Sequence, residues 1–488
     1  YFHNKNQFMF SNDIETLLNL VSEERTVNED KVIRNILYGS DKHDETFYRD
    51  IKKINAATYL LFNSKNRSLS KKNYYILKPK KQKESIDIIK EDFRDLLLHV
   101  LDSMNRTPNN KIGTTLSGGL DSSSIACSIA SKNKKRNIYS YTAVFNSLSG
   151  EDFLKTDEQK YVDKAREMYD FIYSDINIEE KDFLDFFNDE TDKHCRPVST
   201  INGYIHNKII KKCNEDKVRV LFDGFDGDAV ISHGYEHLIS LGRKFRFLEL
   251  FNEYSQHCIK RDSKFRFLDM FKVFILRPNI PVFIETFLLN LFGKKTYKQR
   301  RCARLNKKFY SRKRKYKKFI DKDMKFKRPN ETHAYSLQLS IWEESFEFID
   351  SLGAYNGVEI RLPFFDKRIV EYCISVPSEH KFNNGISRFF FRESMKDILP
   401  KEIYSRYDKA NLSPIVINSI VSNLDRYIDG LTSDTSSVAK FIDKDYLRIN
   451  LKNEIKNSKD NSEKIMEIFS IMAIDKWLDN EKYNVLHK

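Results

Sequence analysis

Residues 112–124 read Ile-Gly-Thr-Thr-Leu-Ser-Gly-Gly-Leu-Asp-Ser-Ser-Ser, a short apolar run opening into a glycine–serine loop closed by an aspartate. The chemistry these residue types suit is anion binding. Gly118 and Gly119 let the main chain approach a phosphate with no Cβ in the way. Ser117, Ser122 and Ser123 add hydroxyl donors, and the amides opening the next helix face the same point, where the dipole favours negative charge. Asp121 is the exception in such a loop, and a divalent cation bridging it to phosphate oxygens explains it best. An ordinary strand-to-helix turn also uses Ser and Gly. The full run, set between Ile112 and an Ile125-Ala126…Ile129-Ala130 helix, says more than a turn. No Gly-Lys-Ser/Thr is present, so this is not a Walker A loop.

A second loop, Leu221-Phe-Asp-Gly-Phe-Asp-Gly-Asp228, follows the apolar run at 218–222. Asp228 would face Asp121 across a nucleotide, since Mg²⁺ is held by one or two carboxylates plus phosphate oxygens. Farther on come Tyr355-Asn-Gly-Val-Glu-Ile-Arg-Leu-Pro-Phe-Phe-Asp366, Gly385-Ile-Ser-Arg388, Arg392 and Ser405-Arg-Tyr-Asp-Lys-Ala-Asn411. Chemistry that releases a phosphate anion needs cations where negative charge accumulates. Arg388 and Lys409 suit that task, although each alone reads as a surface charge.

These loops need a scaffold that delivers them to one edge. Residues 1–85 show short alternating strands at 7–10, 57–62 and 74–77 and read as an antiparallel β piece. The chain opens at Tyr1 in a strand-like run, which suggests a missing upstream partner. A helical period spans 86–104. Strands at 112–116, 138–145, 171–176 and 218–222 then alternate with helices at 122–131, 157–169 and 205–214. That pattern predicts an α/β fold, a doubly wound parallel sheet whose ligands bind at the carboxyl ends of its strands. From 238 onward the pattern is mostly helical, and no repeat is evident.

The Ser-Gly-Gly-Leu-Asp-Ser-Ser loop resembles the signature of the PP-loop ATP pyrophosphatases, which split ATP into AMP and pyrophosphate. With Asp-Gly-Phe-Asp-Gly-Asp, Gly-Val-Glu-Ile-Arg-Leu-Pro-Phe-Phe-Asp and Arg-Tyr-Asp-Lys, it occurs in the order found in the asparagine synthetase family. The resemblance covers about 86–413, and its wording is most similar to the asparagine synthase-related branch that includes lasso peptide cyclases. It implies an adenine nucleotide alpha hydrolase-like domain over 86–488, with a helical C-terminal extension and a basic helical insertion at about 238–330. Residues 1–85 would be the β remnant of an Ntn glutaminase-like domain. It further implies ATP and Mg²⁺ as cofactors. Leu116, Val144 and Phe145 would flank adenosine, Ser117, Gly118, Gly119 and Ser122 would hold the phosphates, and Ser123 and Gly224 would also belong to the nucleotide site. Asp121 and Asp228 would bind metal. Lys409, Arg388 and Glu359 would be catalytic, Glu359 by deprotonating or orienting the nucleophile; Glu158 matches a further acidic position. The expected activity is amide-bond formation through an acyl-adenylate, as in asparagine synthase (glutamine-hydrolysing), on a small-molecule or peptide carboxylate. Two departures stand out. Phe225 occupies the place of a family Glu or Tyr and can neither take a proton nor hydrogen-bond. The N-terminal cysteine of the family's glutaminases is not among these 488 residues.

Composition sets the outer bounds. At 488 residues, 40% hydrophobic and 13% aromatic, the chain can bury ample core and reads as two or three domains. The formal charge is +14, yet Lys294–Arg328 holds 18 Lys/Arg against two acids, so the remainder is close to neutral. This basic segment could dock an acidic precursor peptide or partner protein; as an RNA-tracking arm it would lack a zinc knuckle or compact module beside it, so nucleic acid is not favoured. The apolar stretch 271–292 is broken by charges and prolines and does not read as a membrane span, though it could lie on an anionic membrane surface. Six scattered cysteines without metal-ligand spacing, and no visible signal peptide, fit a reducing cytoplasm. A non-catalytic nucleotide-binding scaffold is the other rival, with Phe225 in its favour.

Overall fold

A computed structural model of the chain describes residues 1–21, 26–38, 44–80, 84–105, 110–133, 136–281, 284–285, 287, 291, 304–309, 328–457 and 462–480, with the backbone alone at 191–194. The expected basic segment Lys294–Arg328 lies outside these residues except at 304–309 and Arg328. So does much of the apolar stretch beyond Pro281.

Two hairpins come first: β1 (Phe2–His3) with β2 (Phe8–Met9), and β3 (Thr58–Asn63) with β4 (Ser68–Asn73). The strand expected at 74–77 is therefore displaced upstream. The four residues after Asn63 make a tight turn in which Asn63 Oδ1 accepts the Lys65 amide at 2.9 Å. That turn sets the register, whereas apolar Tyr74 and Ile76 are left exposed. The reading of 1–85 as a β piece also misses two helices, Ile14–Leu20 and Glu29–Tyr38. Asp13 caps the first by accepting the Thr16 amide at 2.7 Å. The second buries Val32, Ile33, Ile36 and Leu37, a helical stripe, in one core with Trp477.

The centre is a five-stranded parallel sheet: β5 (Lys111–Thr115), β6 (Asn137–Val144), β7 (Ile172–Asn177), β8 (Val220–Phe222) and β9 (Glu359–Arg361) in the order β7-β6-β5-β8-β9. Its two faces alternate with period two, as pleating requires. Ile112, Ile138, Val220 and Phe222 join a cluster with the helices Ile86–Met104 and Leu120–Lys132. Tyr141 and Leu221 join the opposite cluster, with Glu180–His194 and Gly203–Glu215. The fold is thus α/β with helices on both faces, as expected. β9 was not legible in the sequence, being three residues with a charge at each end. The chain runs outward from β5 to β7, then returns to β8, so the direction reverses between β5 and β8. Crevices for ligands form at such a reversal.

After the sheet the chain is largely helical. A short hairpin, β10 (Phe382–Asn383) with β11 (Ile386–Ser387), precedes Arg388. One element of the basic segment is structural: Arg304 pairs with buried Glu467 at 2.6 Å.

Candidate active site

The loop after β5 is built for a close main-chain approach. Gly118 has φ +76°, and a Cβ there would stand 2.8 Å from Tyr161 Cβ. The helix begins at Leu120 with Gly119 as its cap, which puts Asp121 in its first turn. Ser122 Oγ accepts the Ser117 amide at 3.1 Å and lies 2.8 Å from Ser117 Oγ, so the hydroxyls close the loop upon itself. Ser123 is fully buried and its Oγ has no partner among the described residues. Leu116 is also fully buried, and its carbonyl accepts the Thr142 hydroxyl at 2.7 Å. Val144 and Phe145 lie beside it at the carboxyl end of β6.

The loop after β8 packs directly on this one. A Cβ at Gly224 would meet the Ser122 nitrogen at 2.5 Å, and one at Gly227 would stand 3.0 Å from Asp121 Oδ1. The two strand-end loops therefore touch, and Asp228, next after Gly227, belongs to the same cluster as Asp121.

Each acid in this cluster meets a base from the C-terminal part. Arg388 Nη1 donates to both Asp121 oxygens, at 2.9 and 2.8 Å. Lys409 Nζ donates to Asp228 Oδ2 at 2.8 Å. Arg406 Nη1 pairs with Glu158, stacks over Tyr161 at 4.2 Å and reaches the Gly118 carbonyl at 3.4 Å. Arg388 holds φ +56°, a left-handed conformation unusual for a long side chain, and its buried Nε has no partner. Burial works against the Asp228 carboxylate. His233, Lys409 and Arg388 outweigh it and hold its pKa well below the usual range. Partial desolvation and the neighbouring Asp228 charge instead raise Asp226 to about 6. Burial lowers Arg392 to about 10, and its Nη1 holds the Tyr404 carbonyl at 2.7 Å, which fixes the start of the Arg-Tyr-Asp-Lys segment.

The structure thus brings together Ser117, Gly118, Gly119, Asp121, Ser122, Gly224, Asp228, Arg388 and Lys409. It does not bring Glu359 to them. Glu359 opens β9, opposite Val220, at the amino end of the strand. Its side chain is 62% exposed and pairs with Arg361 at 2.8 Å, a hydrogen bond that lowers its pKa. Physically, a residue at the start of a parallel strand faces away from the edge where loops converge.

Sequence reasoning missed a pair that does reach this edge. His206 Nδ1 lies 3.3 Å from buried Asp223 Oδ2, at the end of β8. Desolvation opposes protonation of the ring, but Asp223, with help from Asp226, raises its pKa on balance. Its Nε2 has no hydrogen-bond partner among the described residues. The ring packs on Phe225 (centroids 6.2 Å apart), which continues to Phe365, Trp342 and Phe346 as a half-buried aromatic wall. His206 lies in an ordinary amphipathic helix, so no local spacing singled it out.

Two carboxylates from separate loops suit a magnesium ion shared with phosphate oxygens, and the half-buried Ser117 and Ser122 hydroxyls beside them suit the phosphates, whereas Ser123, expected to join them, is fully buried and not presented at this edge. Among the described residues no group of three or more His, Cys, Asp or Glu is arranged to hold a metal without such oxygens.

An α/β sheet with its charged side chains gathered at the carboxyl edge is the class this geometry defines. The family described as asparagine synthase is matched over residues 93–479, and the chain belongs to it. It is similar to asparagine synthetase (glutamine-hydrolyzing) 1 of Bacillus subtilis, 27% identical over 124 residues, which are 25% of this chain and 19% of that protein. The Gallus gallus asparagine synthetase (glutamine-hydrolyzing) is 39% identical over 90 residues, 17% of this chain and 16% of that protein. A putative asparagine synthetase 2 of Methanocaldococcus jannaschii is 22% identical over 240 residues, 49% of this chain and 45% of that protein. The matches span less than half of each of these relatives. A solved U34-tRNA thiolase from Methanococcus maripaludis is 14% identical, covering 58% of this chain and 93% of that one. Its TM-score of 0.25 carries no argument.

Proposed function

We propose that this chain is an AMP-forming carbon–nitrogen ligase of the PP-loop type. A substrate carboxylate oxygen attacks the α-phosphorus of ATP; the bond to the β-phosphate oxygen breaks, and pyrophosphate leaves an acyl-adenylate. An amine then attacks the acyl carbon, loses its proton, and expels AMP. The observation that carries this reading is the meeting of Asp121 and Asp228, from two strand-end loops, with Arg388 and Lys409.

Asp121 and Asp228 would hold Mg²⁺, which when bound with ATP neutralises phosphate charge. Ser117, Ser122 and the amides after Gly118 would receive the phosphates, with Leu116, Val144 and Phe145 beside the adenosine. Arg388 and Lys409, released from their carboxylates as phosphate and metal enter, would face the leaving pyrophosphate. His206, oriented by Asp223, takes the role that Phe225 cannot fill and accepts the amine proton at Nε2. Residues 1–85 would represent part of a glutaminase-like domain.

Phe225 and its aromatic neighbours favour a peptide carboxylate over free aspartate, because the wall offers apolar contact and its indole donor, Trp342 Nε1, is already given to the Ser336 carbonyl. Isopeptide closure of the lasso type would use this chemistry. An acidic stretch of the same peptide suits the Lys294–Arg328 segment. The test incubates the protein with Mg·ATP and either aspartate plus ammonia or linear peptides bearing aromatic residues and a free carboxylate. The products are then read by mass spectrometry. Asp121→Asn should lower AMP and pyrophosphate formation by at least about a thousandfold; an unchanged rate would reject the reading.

A further inference from the structure

The region joining the sheet to the C-terminal helices carries one short motif twice. Lys244-Phe-Arg-Phe-Leu-Glu249 and Lys264-Phe-Arg-Phe-Leu-Asp269 match at every position but the closing acid. This corrects the expectation that the chain holds no repeat. Both copies end in the start of a helix, although only Phe245 of the first is left-handed. Arg246 caps the helix Phe247–Lys260 and Arg266 caps Phe267–Met270. Each of these arginines pairs with the acid three residues on, Arg246 Nε with Glu249 at 2.6 Å and Arg266 Nη1 with Asp269 at 3.7 Å.

Both copies also hold their apolar side chains out. Leu248 is 87% and Leu268 78% exposed; Phe245, Phe247, Phe251, Ile259, Phe267 and Phe271 are exposed as well. The copies are adjacent, since Phe265 of the second packs on Phe251 of the first helix at 5.1 Å. The inner faces are already satisfied: Leu250, Met270, Tyr254 and Phe274 bury against Leu238, Leu241 and Phe382. Helices that are apolar on both faces are ordinarily covered on both.

Phe245 is held out under strain. It follows the helix Glu236–Arg243 at φ +58°, and its amide bonds the Gly242 carbonyl while that of Arg246 bonds Leu241. This is the helix-ending turn whose left-handed position normally takes glycine. A phenyl ring there costs stability, and it meets the edge of the Phe247 ring (centroids 5.9 Å apart), itself exposed, rather than the core.

We propose that this face docks on an anionic lipid bilayer surface, with the two Lys-Phe-Arg-Phe-Leu motifs set side by side in the headgroup layer. The charge pattern argues for lipid. Lys244, Lys264 and Lys272 form no ion pair among the described residues, and cations alternate with Phe and Leu along each motif. Lysine is depleted at protein–protein interfaces, whereas Lys/Arg beside protruding Phe and Leu is the composition that binds anionic headgroups while burying apolar tips. No helix among the described residues is long and apolar enough to cross a membrane, and the proposed contact is with the headgroup layer alone. The opposite face of the first helix grips the turn leading to Arg388. Glu253 accepts the Gly385 amide at 2.8 Å, and His257 Nδ1 lies 2.8 Å from the Gly385 carbonyl. The exposed apolar face and the Gly385 turn, three residues before Arg388, therefore lie on opposite sides of one helix.

The test is flotation of the whole chain with phosphatidylcholine vesicles, with or without phosphatidylglycerol, together with its oligomeric state by sedimentation. Binding should require phosphatidylglycerol and weaken with salt. Leu248→Asp with Leu268→Asp should weaken it at least about tenfold, with the far-UV spectrum retained. Phe245→Gly should bind several-fold more weakly yet unfold at an equal or higher temperature, a combination that damage to the fold does not produce. Three results would overturn the proposal: no binding to phosphatidylglycerol vesicles, equal binding to phosphatidylcholine alone, or a dimer without lipid affinity that the double variant dissociates.

Discussion

The two ends of the parallel sheet treat their charges differently. At the carboxyl end, Asp121, Asp228 and Glu158 are neutralised by bases 267, 181 and 248 residues away in the chain. At the amino end, Glu359 is neutralised by Arg361, two residues along the same strand and open to water. A local pair forms wherever two suitable side chains share a strand face, and in water it contributes little. Long-range pairs in a half-buried crevice exist only because separate segments were folded onto one another. Removing one partner there leaves a charge with nothing to oppose it. The lesson is that an acid's neighbours in space, rather than its motif, mark it as part of this site.

That contrast can be tested at three points. The largest effect is expected at His206, which belongs to the carboxyl end through Asp223. His206→Gln should slow amide formation about a hundredfold or more while ATP–pyrophosphate exchange continues, since only the proton-accepting step is touched. Loss of both together would make His206 a structural residue. The second point lies beneath the same edge. Lys381 Nζ donates to His333 Nδ1 at 3.0 Å, and His333 Nε2 donates to the Ala229 carbonyl, next to Asp228. Burial lowers Lys381 to about 8, while burial and the Lys381 charge keep His333 well below its usual pKa. Unfolded, Lys381 titrates near 10.5, so between these values the unfolded chain binds the extra proton. Stability contributed by this group therefore rises from about pH 8 to about pH 10.5, by up to about 3 kcal/mol. Lys381→Met should flatten that rise in denaturant titrations at successive pH values. A rise as steep as wild type would assign it to other groups. The smallest effect is expected at the amino end: Glu359→Gln should change the rate of amide formation less than about threefold. A loss comparable to that of His206→Gln would erase the distinction between the two ends.

Four of the sheet's five strands were legible because they hold aliphatic, aromatic and β-branched residues bounded by turn residues, and the helices between them carry a clear 3.6-residue period. The phosphate-type loop was legible because its residue types have few other uses in that order. Glu359 was misleading for the same reason that it was attractive: it sits inside a distinctive run, Gly357–Asp366, whose order says nothing about which strand end it occupies. His206 and Arg406 were missed as contributors because a single His in an amphipathic helix, or one Arg among many, has no spacing to mark it. The Lys-Phe-Arg-Phe-Leu duplication stood in plain view, but its meaning depends on exposure, which a pattern does not report.

What the amino-acid order determined by itself is the local part: an α/β alternation, a glycine–serine turn that admits a left-handed Gly118, and acids placed at strand ends. These follow from backbone sterics and from periodicity within a few residues. What only the tertiary structure decided is the pairing: Gly224 pressed on Ser122, Arg388 on Asp121, Lys409 on Asp228, and His206 on Asp223. Those contacts depend on which strands lie next to one another and which helix face turns inward, and both are settled by burial summed over the whole chain, so no short stretch encodes them.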